Sequence, residues 1–304
     1  MWIRLLPVAF LMAGAISVTA QTTTPLAQYP SPMQETVRRH ERITFDVQQG
    51  ITYTLDSILS KPVFIYIPRR LKKAAWADLL IHFHGVNYVP AFTAEKSKTN
   101  LVAVSVNLGS GSGTYARPFQ NDTAFKKLVT VVWRSVQKQL GNRIRQRRII
   151  LSGFSAGYGA IRSILSGADG FELVNTVLLL DGLHASYIPE RKVLAEGGQI
   201  DTAGLAPFLA FARQAVLPAT GKNMLFTHSE IFPGTFVSTT EAADYLLQQL
   251  QLKAMPVLKK GPAGMQQISE AGSGHFRVLG FAGNSAPDHV DHFHGLPFFL
   301  ERLH

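Results

Sequence analysis

The ten residues Arg148-Ile149-Ile150-Leu151-Ser152-Gly153-Phe154-Ser155-Ala156-Gly157 constrain this chain more than any other segment. An apolar run reads as a strand buried on both faces, and residues 156–166 read as a helix. The turn between them is Gly153-Phe154-Ser155-Ala156-Gly157, a G-x-S-x-G pattern. A chain of this length meets that pattern by chance about one time in ten, so its weight comes from the strand before it and the helix after it. So tight a turn holds the serine in a strained conformation. Side chains two residues to either side would collide, hence glycine at 153 and 157. The geometry lifts the Ser155 hydroxyl above the sheet and sets the Ala156 N–H and the helix N-terminus where negative charge can be stabilised. Gly159 and Ala160 continue the small residues where the helix is expected to cross the sheet closely.

Around this turn the chain alternates strand-like and helix-like segments. Residues 42–47 and 51–55 alternate apolar and polar side chains about Gln48-Gln49-Gly50, which predicts an antiparallel pair. Residues 63–67, 78–83, 101–106, 148–152, 174–180, 224–227 and 277–281 read as further strands. Residues 124–140, ending at Gly141, carry Leu128, Val131, Val132, Val136 and Leu140 at helical spacing. Residues 204–216, 239–252 and 296–303 also read as helices. The pattern predicts one α/β domain over residues 40–304, with a mostly parallel central sheet, antiparallel N-terminal strands, helices on both faces and little or no lid. Residues 182–201 are the segment from which a small lid could be built.

The ends and the composition narrow the surroundings. Arg4, an apolar run over residues 5–16 and Val18-Thr19-Ala20 form the three parts of a secretory signal, with the cut expected before Gln21. The apolar run is short for a membrane span. Residues 21–39 read as a flexible leader, and the mature domain is expected to be secreted or periplasmic. The absence of cysteine excludes a disulfide scaffold, a thiolate metal site and a cysteine nucleophile. The net charge of +10 raises nucleic acid as a partner, but export weakens that reading. Arg143, Arg145, Arg147 and Arg148 precede the serine strand, so they fall at the amino edge of the sheet. A solvated edge is the expectation there, with weak association to an anionic cell envelope as the alternative.

Three motifs resemble the α/β-hydrolase superfamily, and the order of elements extends the resemblance over most of residues 60–304. The first is Ser155 in its turn. The second is His82-Phe83-His84-Gly85-Val86, where the family carries a His-Gly loop after its third strand. The resemblance implies that the Val86 N–H, with Gly85 as hinge, completes an oxyanion hole with Ala156. The third is Pro287-Asp288-His289-Val290-Asp291-His292-Phe293-His294-Gly295, read as a loop between the last strand and the final helix. His289 opens that loop and is the first choice of base, with His292 as the alternative. His294 is expected to pack against the final helix, His84 to shape the oxyanion loop and His82 to lie in the core.

The acid is open between two residues. Asp181 ends the strand at Val177-Leu178-Leu179-Leu180 and so emerges at the carboxyl edge, where α/β sheets place their sites. The family more often carries its acid after the next strand, where this chain reads Phe226-Thr227-His228-Ser229-Glu230, which makes Glu230 the competitor.

A serine hydroxyl needs a base, an imidazole needs a carboxylate to fix its tautomer, and the tetrahedral intermediate needs N–H donors. The chain holds residues of every kind required. Gly111-Ser112-Gly113-Thr114-Tyr115-Ala116 matches a dinucleotide pattern, but Pro118 interrupts the helix it needs. It reads instead as a flexible loop beside the site, where substrate could meet Tyr115 and Phe119. The histidine spacing is not that of a helical zinc motif, so neither metal nor cofactor is expected. The sequence reading is hydrolysis of a carboxylic ester, small or glycan-linked, through an acyl-serine. Amide or peptide hydrolysis by the same groups, or a silent binding protein that keeps the fold, are the alternatives.

Overall fold

A computed structural model describes residues 49–303 apart from Asn142. The expected signal segment, the leader and the strand at 42–47 lie outside the described residues.

A single ten-stranded sheet organises the chain. Its strands are β1 (Ile51–Leu55), β2 (Val63–Ile67), β3 (Trp76–Phe83), β4 (Leu101–Val106), β5 (Arg145–Phe154), β6 (Thr176–Leu180), β9 (Asn223–His228), β10 (Met255–Lys260), β11 (Gln266–Ser273) and β12 (Phe276–Phe281). A separate two-stranded ribbon is formed by β7 (Tyr187–Ile188) and β8 (Gln199–Ile200). The helices are α1 (Tyr88–Lys96), α2 (Ser112–Ala116), α3 (Asp122–Leu140), α4 (Tyr158–Ser166), α5 (Ala168–Leu173), α6 (Ala206–Val216), α7 (Thr239–Gln249), α8 (Ala286–His294) and α9 (Leu296–Glu301).

The spatial order is β1-β2-β4-β3-β5-β6-β9-β12-β11-β10. From β4 to β12 neighbouring strands are parallel, while β1–β2, β2–β4, β12–β11 and β11–β10 are antiparallel. This is the α/β-hydrolase fold. Alternate residues of the parallel strands feed two cores. Leu79, Ile81, Leu151, Val177 and Leu179 pack with Leu128, Val132, Ile161, Phe208 and Leu246 on one face. Leu80, Ile150, Leu178 and Leu180 pack with Val89, Val290, Phe293 and Phe299 on the other. Burial on both faces is why these strands read as continuous apolar runs rather than alternating ones.

The expected partner of β1 was the strand at 42–47; among the described residues it pairs with β2. Helix α3 starts with the Asn121 side chain accepting from the Thr123 N–H and stops at Gly141 in the left-handed region, as its sequence predicts. The hairpin β10–β11 gave no sequence signal. Its outer strand is exposed, carries Pro256, Lys259 and Lys260, and is interrupted by a register shift, all of which protect a sheet edge and erase alternation.

Residues 182–201 do not stand away from the body as a lid. Leu183, Ala185, Tyr187 and Val193 are buried in the main core, and the Val237 N–H bonds the Ala185 carbonyl. The 111–116 segment is likewise no flexible loop, because residues 112–116 form α2, with Tyr115 and Phe119 buried. Gly159 lacks a Cβ because α2 crosses there, with the Ser112 carbonyl 2.1 Å from where that Cβ would stand. The close approach is thus to α2 rather than to the sheet.

Candidate active site at the carboxyl edge of the sheet

The turn after β5 has the geometry that its sequence predicts. Ser155 opens a short 3-10 turn, Ser155–Gly157, with φ of 46°. That conformation is costly for any residue with a side chain and persists only where its surroundings enforce it. Here a Cβ at Gly157 would stand 2.2 Å from the Phe83 carbonyl, and one at Gly153 would press Ile161 and the Gly157 backbone. The end of β3 therefore lies directly against the serine turn.

That contact brings in the His84-Gly85-Val86 loop. His84 has φ of 71° and Gly85 has φ of 120°, so the chain turns sharply where β3 ends. A side chain at Gly85 would overlap the Phe293 ring. The Gly85 carbonyl accepts a bond from Asn107 Nδ2 (3.1 Å), and His84 Nδ1 lies 2.7 Å from the Tyr115 hydroxyl. Tyr115 also accepts the N–H groups of Leu108 and Gly109. One phenol thus fastens the loops after β3 and β4 together. Sequence alone does not point to Asn107, and it suggests Tyr115 only as a substrate contact. Folding is what turns it inward.

His82 donates from Nε2 to the His84 carbonyl (2.8 Å) and accepts at Nδ1 from Ser152 (3.1 Å). It is a buried residue with both ring nitrogens satisfied. Its ring stacks on Phe293, and His84 stacks on Phe154.

The histidine-rich segment is a helix rather than a loop. Ser285 caps α8 in a reciprocal box with Asp288, and Pro287 sits in the first turn. These signals were present in the sequence but were masked by the Pro, Asp and His composition of the stretch. The i, i+3 spacing puts His289 and His292 on one helix face, and both are buried.

Their partners differ. His289 donates from Nδ1 to Asp181 Oδ2 at 2.7 Å, and its Nε2 has no hydrogen-bond partner among the described residues. Its ring lies 4.5 Å from that of Phe154, the residue before Ser155. His292 Nδ1 is instead 2.8 Å from Thr227 Oγ1, which commits it to β9. His294 pairs with the Tyr88 hydroxyl at 3.1 Å, close to α9.

Asp181 follows β6 with φ of 44°, a third strained residue at this edge after Ser155 and His84. It accepts from His289, from the Ser229 N–H (3.0 Å) and hydroxyl (2.7 Å), and from Thr239 Oγ1 (2.6 Å). Burial alone would raise this carboxyl. The imidazoles of His292 and His289 and the Thr239 hydroxyl outweigh it and hold the group well below the usual carboxylate range. Ser229 and Thr239 had no signature in the sequence, since each is an ordinary loop or helix-start hydroxyl until the fold sets it against the acid. Glu230 takes a different place. Its carboxylate accepts the Gly283 N–H at 3.1 Å, tying the loop after β9 to the one after β12. The structure brings His289 to Asp181 and not to Glu230.

The acid turn and the serine turn touch. A Cβ at Gly182 would stand 2.5 Å from the Ser155 nitrogen and 2.6 Å from its carbonyl oxygen. Ser155, His289 and Asp181 are all nearly fully buried, and Ala156 and Val86 are partly exposed beside them. The surrounding imidazoles are neutral. Burial pushes His82 down to about 3, and His84, His184, His228 and His292 each to about 4. Among the described residues, no group of three or more His, Asp or Glu converges as a metal site.

At the opposite end of the strands, the basic cluster is only partly a solvated edge. Arg143 and Arg145 are exposed, but Arg147 and Arg148 both bind the buried Asp78, at 2.8 and 2.9 Å. Consecutive strand residues point to opposite faces, so a double grip is unexpected. It arises because the β3–β5 register slips between Ala77 and Leu79, setting both arginines against one aspartate. Arg147 also stacks on Trp76, 3.5 Å from the ring centre.

No protein-family model matches the chain, and no curated protein sequence matches it. Among solved structures it is similar to an acylaminoacyl peptidase from Pyrococcus horikoshii, with a TM-score of 0.46 and 13% identity over 83% of this chain and 41% of the peptidase. It is also similar to an S-formylglutathione hydrolase from Agrobacterium tumefaciens, with a TM-score of 0.45 and 12% identity over 86% of this chain and 98% of the other. A third is Est1E from Butyrivibrio proteoclasticus, with a TM-score of 0.39 and 9% identity over 84% and 98% of the two chains. The chain thus spans less than half the length of the peptidase it matches.

Proposed function

We propose that this chain is a serine hydrolase that cleaves a carboxylic ester through an acyl-serine intermediate. The observation that carries the reading is the His289 ring. Its Nδ1–H is given to Asp181 at 2.7 Å, which leaves the lone pair on Nε2, and that nitrogen has no partner among the described residues. A buried imidazole fixed in that tautomer is the base a serine nucleophile requires.

In this mechanism His289 Nε2 takes the Ser155 proton as Oγ attacks the ester carbonyl. The oxyanion accepts from the N–H groups of Ala156 and Val86, and Asp181 stabilises the imidazolium. Collapse of the intermediate expels the alcohol, which leaves with the proton from His289. A water then repeats the sequence to release the acid and restore Ser155. The strained Ser155 turn and the neighbouring His-Gly loop support this assignment, and so does the low-lying carboxyl of Asp181.

The test is labelling with a serine-reactive fluorophosphonate. The native protein should label and Ser155→Ala should not. Absence of label on folded native protein would overturn the enzyme reading. Acyl esters, acetyl and feruloyl sugar esters and anilides, offered in parallel, distinguish an esterase from an amidase. Export belongs to the same proposal, and N-terminal sequencing of protein from the culture fluid or periplasm should begin at Gln21.

A further inference from the structure

A second imidazole beside the serine turn is left with an unused acceptor. His184 lies three residues after Asp181, on the segment whose Gly182 is pressed against the Ser155 backbone. Its Nδ1 is 2.9 Å from the Val237 carbonyl, and since a carbonyl can only accept, Nδ1 carries the hydrogen. Nε2 therefore holds a lone pair. It is buried, with the residue only 5% exposed, and it has no hydrogen-bond partner among the described residues. Tyr158, the first residue of α4, and Phe236 present their rings edge-on to the imidazole, with centroids at 5.5 and 5.0 Å. The segment that fixes His184 through Val237 also supplies Thr239 to Asp181, so the acid and this ring are held in one frame.

A buried acceptor without a donor costs free energy, so one kept in a folded chain calls for a reason, and a donor brought by a bound molecule is one such reason. Resting on the serine hydrolase reading above, we propose that His184 Nε2 is a substrate-recognition acceptor, and that the site selects esters carrying a neutral O–H or N–H donor close to the scissile bond. A neutral ring suits this role. Burial holds His184 at about 4, so it remains an acceptor throughout the range in which a histidine base works. An unpaired lone pair also disfavours the apolar analogue of such a substrate, because binding it would seal the acceptor away from any donor.

The experiment compares isosteric ester pairs by pH-stat: methyl 2-hydroxypropanoate with methyl 2-methylpropanoate, methyl 3-hydroxybutanoate with methyl 3-methylbutanoate, and 2-hydroxyethyl butanoate with propyl butanoate. The first two pairs put the donor on the acyl side and the third puts it on the alcohol side. At least one hydroxylated member should be preferred in kcat/KM by about tenfold or more. His184→Asn keeps a donor for the Val237 carbonyl but removes the acceptor at the Nε2 position, and should bring that ratio close to one. His184→Gln restores an acceptor near that position and should recover part of the ratio. Parity in all three pairs for the native protein overturns the inference even if His184→Asn fails to fold. A ratio that His184→Asn leaves unchanged also overturns it. If native protein takes up no fluorophosphonate, the hydrolase reading falls and takes this one with it; uptake with parity removes this one alone.

Discussion

The two ends of the parallel strands are built on opposite terms. At the amino edge a buried charge, Asp78, is held by two guanidinium groups, one of them stacked on Trp76, and its bonds are met within the fold. At the carboxyl edge Ser155, Asp181 and His84 all have positive φ, and the Nε2 atoms of His184 and His289 are buried without hydrogen-bond partners among the described residues. One edge spends its polar groups on cohesion. The other holds strain and unused hydrogen-bonding capacity, which is where chemistry on an incoming molecule is to be sought.

The sharpest way to break this contrast is to exchange single atoms at each edge. Asp181→Asn should lower ester turnover by about 10³- to 10⁴-fold, because the amide no longer selects the Nδ1–H tautomer of His289. Glu230→Gln should stay within about twofold of native kcat, since Glu230 only ties two loops. If Glu230→Gln were the dead variant, the acid would be misassigned.

Acid should act next, and mainly on the histidine-rich side. His82, His84, His184, His228 and His292 are all held neutral with depressed values in the folded chain, near 3 for the first and 4 for the rest. Unfolded, each titrates near its usual ~6.5, so the unfolded state binds more protons below that pH. Their contribution to stability is complete above about pH 6.5 and is lost as pH falls toward 4. Each contributes up to ~1.4 kcal/mol per pH unit within that window. Urea midpoints measured from pH 7 to 4 should fall steeply, and a flat profile across that window would contradict the buried neutral rings.

The amino edge should respond differently. Asp78→Asn should cost about 2–3 kcal/mol in urea unfolding, less than a fully buried pair because Arg147 and Arg148 remain partly hydrated. Ester turnover by the fraction that stays folded should hardly change. Replacing Arg143 and Arg145 together by Gln should have the smallest effect, within about 0.5 kcal/mol in stability and twofold in turnover. A large loss of turnover from either change would mean that the two edges are coupled.

Legibility from sequence follows the same division. The serine turn is readable because sterics demand small residues at fixed offsets from Ser155, and the buried strands are readable because both faces are covered. Asp181 and His289 were each visible as candidates, but pairing 181 with 289 is a tertiary fact that no spacing encodes. Helix α8 carries its Ser285–Asp288 box in the sequence, yet its proline and three histidines give the stretch the composition of a loop. Ser229, Thr239, Asn107 and Tyr115 act through what they face, and that is fixed only when two loops and the helices α2 and α7 converge. The double grip on Asp78 was invisible for a related reason: it depends on a register slip, which moves side chains without altering composition.

The contact of Gly182 with Ser155 has a dynamic consequence. With backbone against backbone and no side chain as cushion, the turns after β5 and β6 are expected to open together rather than singly. Amide exchange at residues 155–157 and 181–183 should then report one shared opening event. Such gearing would make loss of the site on warming abrupt, because Ser155 and Asp181 would leave their positions in the same step.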